Sequence, residues 1–185
     1  INFFLSEKYL FRELGDILSA KGGSAFGGKS NYGFFKNKKP QKIHIDFVSA
    51  NPTGPLTMGN GRGGFYGDAL SNILETQGHK VFREYYVNDR GEQILALGWS
   101  IKMAQKALIS QTIPSPSANS SVSEITKQEN IYKGEYIGEL AKKIGKNLNE
   151  SEAGQEAAEL ILEKYIKPAV KKAGIKFDNW FSEKS

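Results

Sequence analysis

Thr57 and Asn60 bracket Met58 and Gly59 in the stretch "ANPTGPLTMGNGRGG", residues 50–64, where residue types and spacing are suited to chemistry. Five of these fifteen residues are glycine and two are proline. An apolar run, "KIHIDFVS", precedes the stretch and a helical pattern follows it. A Gly-rich turn from strand to helix presents unpaired backbone N–H groups at the positive end of the helix dipole, which favours anions. Gly59, Gly61 and Gly63 let a ligand approach the backbone, since no Cβ intervenes. Pro52 and Pro55 stiffen the approach. Thr57 and Asn60 put small polar donors at its mouth. The pattern is neither G-x-G-x-x-G nor G-x-x-x-x-G-K-[ST], so neither a dinucleotide fingerprint nor a P-loop is implied. On pattern alone the segment is either a turn that needs glycine or a cradle for phosphate.

The elements that must position these residues are legible as alternating periods. Ile43, Ile45 and Phe47 alternate with His44, Asp46 and Val48, which predicts a strand. Asp46 and Asn51 then fall at and just past its carboxyl end, where open α/β sheets bind ligands. A carboxylate there holds a cationic group or makes a surface ion pair. A helix is predicted from about Gly59 to Gln77, with Phe65, Ala69, Leu70, Ile73 and Leu74 inward and Gly78 as its stop. "KVFREYYV" is a second strand, in which one of Tyr85 and Tyr86 belongs to the core. "NDRGEQILALGWSIKMAQKAL" is a second helix, and Asp89 is either its N-cap or part of the site. Strand, helix, strand, helix at this spacing predicts parallel βαβ units.

Upstream, "INFFLS" reads as an edge strand, and "EKYLFRELGDILSA" as a helix with Tyr9, Leu10, Leu14, Ile17 and Leu18 on one stripe. Gly22 and Gly23 end that helix, and residues 20–42 have the composition of a linker. Downstream, the Ser-rich segment at about 110–130 is a polar loop. Asn149 and Glu152 predict a capping box for a helix running to about Lys172. Pro168 interrupts it, Gly174 stops it, and "IKFDNWF" is another strand.

Composition sets the outer limits. Hydrophobic residues make up 39% of the 185 and charged residues 24%, as in an ordinary globular chain. The absence of cysteine excludes disulfides and thiolate metal sites. His44 and His79 have no partner at metal spacing and read as ordinary structural residues. A formal charge of +5, with lysines at 36–42 and in "KPAVKK", suits a polyanionic partner or a solvated face. No apolar run is long enough to span a membrane. Ile1 is expected to lie inside a longer chain, because there is no initiator Met.

The string "DFVSANPTGPLTMGNGRGGFYGD…GHKVFREYYVNDRGEQ" resembles arginyl-tRNA synthetases, a family of class I aminoacyl-tRNA synthetases. The S-A-N-P-T-G-P-L lead-in, the G-R-G after the signature and the Y-V-N-D-x-G-x-Q stretch stand in order and at family spacing. "INFFLS", "YKGEYIGELAKKI" and "GIKFDNWFSEKS" resemble flanking parts of the same family, leaving only the loop at about 110–130 uncovered.

The resemblance implies an α/β fold. A partial Rossmann-like parallel sheet with helices forms the first part of the catalytic domain over 36–185. The tail of an N-terminal tRNA-contacting domain, plus linker, precedes it over 1–35. It implies ATP, with Mg2+, as cofactor and L-arginine and tRNA(Arg) as partners, in a cytoplasmic enzyme without a membrane that is monomeric at full length. The signature His-x-Gly-His is here Thr57-Met58-Gly59-Asn60. The resemblance makes Thr57, Gly59 and Asn60 catalytic, and adds Pro52 and Gly61 to the ATP site. A hydroxyl and an amide donate to phosphate oxygens but carry no charge, so each stabilises developing charge less than an imidazolium does. Asp46, Ser49, Asn51 and Gln93 match positions that face the arginine substrate. Arg62 meets phosphate or pairs with Asp68 or Glu84. The 185-residue chain alone is expected to be inactive and prone to self-association along an open strand edge, with the rest of the sheet, a "KMSKS"-like loop and the anticodon-binding helices beyond it.

Overall fold

The structure is a computed structural model that describes residues 4–18, 37–110 and 131–184. Its elements, in chain order, are α1 (Glu7–Leu18), β1 (Lys42–Asp46), α2 (Met58–Thr76), β2 (Lys80–Val87) and α3 (Glu92–Ser110). They continue with α4 (Glu135–Lys143), α5 (Glu150–Ile161), a π-helical turn (Leu162–Ile166), α6 (Lys167–Lys172) and β3 (Asn179–Ser182). The strands form one sheet in the order β1-β2-β3. β2 and β3 run parallel, with Tyr85 opposite Trp180 and Val87 opposite Ser182. The α/β class with a parallel sheet is therefore as expected.

Two compact units divide the chain, one of Ile1–Ile43 with Asn72–Val81 and one of His44–Ser71 with Phe82–Ser185. In the first unit, Ser6 caps α1 by accepting the Tyr9 amide on its hydroxyl at 3.3 Å. The expected edge strand is not formed by Phe4–Ser6, which precede the helix without regular structure, with Phe4 97% exposed. These residues lead into a cap instead of a ladder. Tyr9, Leu10 and Leu14 line α1 as expected but remain exposed. The predicted stop at Gly22 and Gly23 and the loop from 111 lie outside the described residues. His79 accepts the Gln41 amide on Nδ1 at 3.2 Å, a structural role. α2 closes in a Schellman motif: Gly78, at φ 82°, donates to the Glu75 carbonyl and His79 to that of Leu74.

The second unit contains the core. Tyr85, Val87, Ile94, Leu97, Ile101, Ile161 and Ile166 are buried within it. Tyr85 is the buried tyrosine of its pair and stacks on Trp180 at 4.4 Å, while Phe47 packs on Phe177 at 4.6 Å. The inward face predicted for α2 is corrected here. Phe65, Ala69 and Ile73 are exposed, and the buried positions are Gly64, Gly67 and Ser71. The reason is space: a Cβ on Gly67 would lie 2.4 Å from Cγ of Phe47, and one on Gly64 2.8 Å from Cδ1 of Ile175. Phe47 and Ile175 fill the space and the helix offers a smooth face to receive them. The same device brings α3 onto α5, where a Cβ on Gly98 would lie 1.7 Å from the Glu150 carbonyl oxygen.

The capping box at Asn149 and Glu152 has both of its bonds. Downstream, the helix widens before Pro168, which has no N–H to give. Lys167 donates to the Leu162 carbonyl, five residues back, so the interruption is a π-helical turn and not a break. Gly174, at φ 77°, ends α6 in a second Schellman motif. β3 begins later than the expected strand. Asp178 instead exchanges bonds with the Arg83 backbone, its carboxylate accepting from N and its own amide donating to O, and the ladder starts at Asn179.

Candidate active site

β1 ends in a strained turn. Ser49 donates its amide to the Phe47 carbonyl at 3.0 Å, closing a three-residue turn centred on Val48. Val48 has φ 66° and Ser49 φ 37°. A β-branched residue in the left-handed region is a genuine outlier and costs on the order of 1–3 kcal/mol, which the surroundings must offset. They hold the turn from β2. The Tyr86 amide donates to Ser49 Oγ at 3.0 Å, and the Tyr85 hydroxyl donates to the Ala50 carbonyl at 2.9 Å. Ser49 Oγ in turn donates to the Asp46 carboxylate. Burial pushes the Tyr85 phenol well up, opposed by its bond to Ala50 and reinforced by the nearby Asp46 charge, so it stays a donor.

The following loop is fastened at three further places. Asn51 Nδ2 donates to Gln93 Oε1 at 2.5 Å, which brings together two of the residues expected at the amino-acid site. Pro52 is fully buried. The Tyr136 hydroxyl donates to the Thr53 carbonyl at 3.0 Å. Its ring also covers Gly54, where a Cβ would meet the Tyr136 oxygen at 3.1 Å. Sequence reasoning did not single out Tyr136, because it lies 83 residues from Thr53 and nothing local marks it.

Thr57 and Asn60 form a reciprocal cap on α2. Asn60 Oδ1 accepts the Thr57 amide at 2.9 Å and the Thr57 hydroxyl at 2.7 Å. The Asn60 amide donates to Thr57 Oγ1 at 3.3 Å. This is a capping box with Asn in the place usually held by Glu or Gln. The Thr57 proton, expected at phosphate, thus goes to Asn60. What remains for an anion is the Asn60 N–H2 and the backbone N–H groups of Met58 and Gly59, the first turn of the helix. Gly59 is exposed and Gly61 half-buried, with no atom within 4 Å of a Cβ at Gly61.

Asp89 is neither an N-cap nor exposed. Its buried carboxylate accepts the Ser182 hydroxyl at 2.6 Å and the Lys184 amide at 3.1 Å, fastening the end of β3 beside β2. Glu84 pairs with His44 at 3.2 Å and accepts from Asn179 at 2.6 Å, leaving Arg62 on the exposed face of α2.

A glycine-rich helix start follows the carboxyl end of β1, where open α/β sheets bind ligands, and the turn between them makes the Asp46–Ser49 and Asn51–Gln93 bonds. Residues 25–184 match the family model of class I tRNA synthetases (R), catalytic domain. An arginine–tRNA ligase of Chlorobium phaeovibrioides is 36% identical over 191 residues, covering 99% of this chain and 31% of that protein. One from Helicobacter acinonychis is 39% identical over 194 residues, covering 100% of this chain and 32% of its own length. A crystal structure assigned as an arginyl tRNA synthetase from Campylobacter jejuni superposes with a TM-score of 0.68 at 31% identity, covering 97% of this chain and 37% of that one. The chain belongs to the arginyl-tRNA synthetase catalytic-domain family, and spans about a third of the length of the curated relatives it matches.

Proposed function

We propose that the protein to which this chain belongs joins arginine to tRNA(Arg) through an arginyl-adenylate. The arginine carboxylate attacks the α-phosphate of ATP in line and pyrophosphate leaves. The 3′-terminal ribose of the tRNA then takes the arginyl group. Such chemistry needs positioning and stabilisation of phosphoryl charge more than covalent help from the protein. Asp46 holds a cationic group of arginine, and Asn51 and Gln93 complete that side. Gly59, Gly61, the Asn60 amide and the helix start take ATP, with Pro52 stiffening the loop. Mg2+ enters with the phosphates as MgATP; among the described residues no three His, Cys, Asp or Glu come together to hold a metal ion.

Supporting the reading are the Asp46–Ser49 and Asn51–Gln93 bonds made by the segment that leads from β1 to α2, in a chain whose family match runs over residues 25–184. Residues 1–35 are read as the tail of an N-terminal tRNA-contacting domain and 36–185 as the first part of the catalytic domain. No described helix is long and apolar enough to cross a membrane. A monomeric cytoplasmic enzyme is the form this function calls for. Arginine-dependent ATP–pyrophosphate exchange by the full-length protein, with tRNA(Arg) present, tests the proposal. Exchange with another carboxylic acid in place of arginine would make it a different nucleotidyltransferase. Binding of tRNA without exchange would make it a non-catalytic relative.

A further inference from the structure

We infer that Ser49 is a positioning residue, which acts on the substrate through Asp46 and is itself anchored by the backbone of β2. This rests on the reading above that Asp46 meets a cationic group of the amino acid. The hydroxyl of Ser49 has one proton, and that proton goes to the Asp46 carboxylate. One of its lone pairs takes the Tyr86 amide at 3.0 Å. A substrate therefore finds no proton on Ser49. The Phe47 carbonyl, 3.4 Å from Ser49 Oγ, competes weakly for it.

The ladder shows why the anchor is rigid. The Phe47 amide donates to the Glu84 carbonyl at 3.4 Å, the last backbone bond of β1 to β2. Had β1 continued in parallel, the Tyr86 amide would next have met the Phe47 carbonyl. The turn at Val48 diverts that carbonyl to the Ser49 amide, and Ser49 Oγ takes its place in the ladder. A side-chain oxygen thus sits at a backbone position fixed by the sheet. Asp46, exposed at the strand end, has one carboxylate oxygen tied to it and the other left to face a ligand. A pre-oriented carboxylate binds a cation without first losing rotamer freedom.

The test uses the full-length enzyme with Ser49→Gly, chosen because φ 37° suits glycine and the fold is kept. KM for arginine is expected to rise about tenfold, the loss of one charge-assisted hydrogen bond, while KM for ATP stays within about twofold. Ser49→Gly added to Asp46→Asn is expected to raise KM for arginine no further, since the hydroxyl acts only through the carboxylate. Amide hydrogen exchange at Tyr86 rises about fivefold in Ser49→Gly, as one neutral hydrogen bond is lost, and stays unchanged in Asp46→Asn. Multiplicative losses in an active enzyme, or equal rises in both KM values, would overturn this inference alone. A wild-type protein without arginine-dependent exchange would overturn both it and the function it rests on.

Discussion

Asn60 has one polar end committed and one available. Its carbonyl holds Thr57, and its N–H2 is left to donate. Asn60→Asp separates the two, because a carboxylate still accepts from the Thr57 amide and hydroxyl but donates nothing and repels phosphate. In the full-length enzyme, ATP–pyrophosphate exchange is expected to fall at least about tenfold, the scale of losing one donor to developing charge. The melting temperature should stay within a few degrees, since the cap survives. Exchange at the wild-type rate would remove Asn60 from the phosphate site. The sequence showed which residues occupy the signature, but not that they bond to each other. A T-x-x-N spacing reads as two ligand donors or as one capping box, and only the side-chain rotamers decide.

At the scale of elements, glycines decide where helices fit. Hydrophobic size does not mark the buried face of α2, because Phe47 and Ile175 occupy the space and the helix supplies none. The stops at Gly78 and Gly174 were legible because a Schellman motif needs only a local left-handed residue. Gly67→Ala would press a methyl onto Cγ and Cβ of Phe47, which ring rotation leaves in place, so that side chain must shift as a whole, at an expected cost of about 1–3 kcal/mol. Gly98→Ala meets backbone at 1.7 Å and no side chain there can shift, so α3 and α5 must separate. It should cost more than Gly67→Ala, at least about 3 kcal/mol on the scale of severe core disruptions. Urea unfolding of the two variants side by side ranks them, and equal midpoints would contradict the argument.

For the whole molecule, the contacts that hold the site come from far along the chain. Tyr85 holds Ala50, Tyr136 holds Thr53, and Asp89 secures Ser182 and Lys184. None of these pairs has a spacing that sequence periodicity can report, which is why the strands and helices were legible and the fastenings were not. The two phenols give the fold an alkaline limit. Burial raises both above the ordinary value of 10.0, with the Ala50 bond opposing it at Tyr85 and the neighbouring Tyr132 adding to it at Tyr136. Below that value both states keep the proton and stability is full. Above it the unfolded chain releases protons that the folded chain retains, so stability falls as pH rises. Thermal melts between about pH 8 and 11 should show this decline beginning near the unfolded phenol value of about 10, and Tyr85→Phe with Tyr136→Phe should lessen it, leaving the part due to Tyr86 and Tyr165, whose phenols are also raised.

The crossing of α3 and α5 carries one more consequence. A Cβ on Gly154 would lie 2.1 Å from the Ile94 carbonyl oxygen, as one on Gly98 would lie 1.7 Å from that of Glu150. Most steric lesions in a core have second-site suppressors, because a neighbour can be exchanged for a smaller one. Here each obstructing neighbour is a main-chain carbonyl, present whatever residue bears it. A random suppressor screen starting from Gly98→Ala should therefore return true revertants at position 98 and no compensating change on α5.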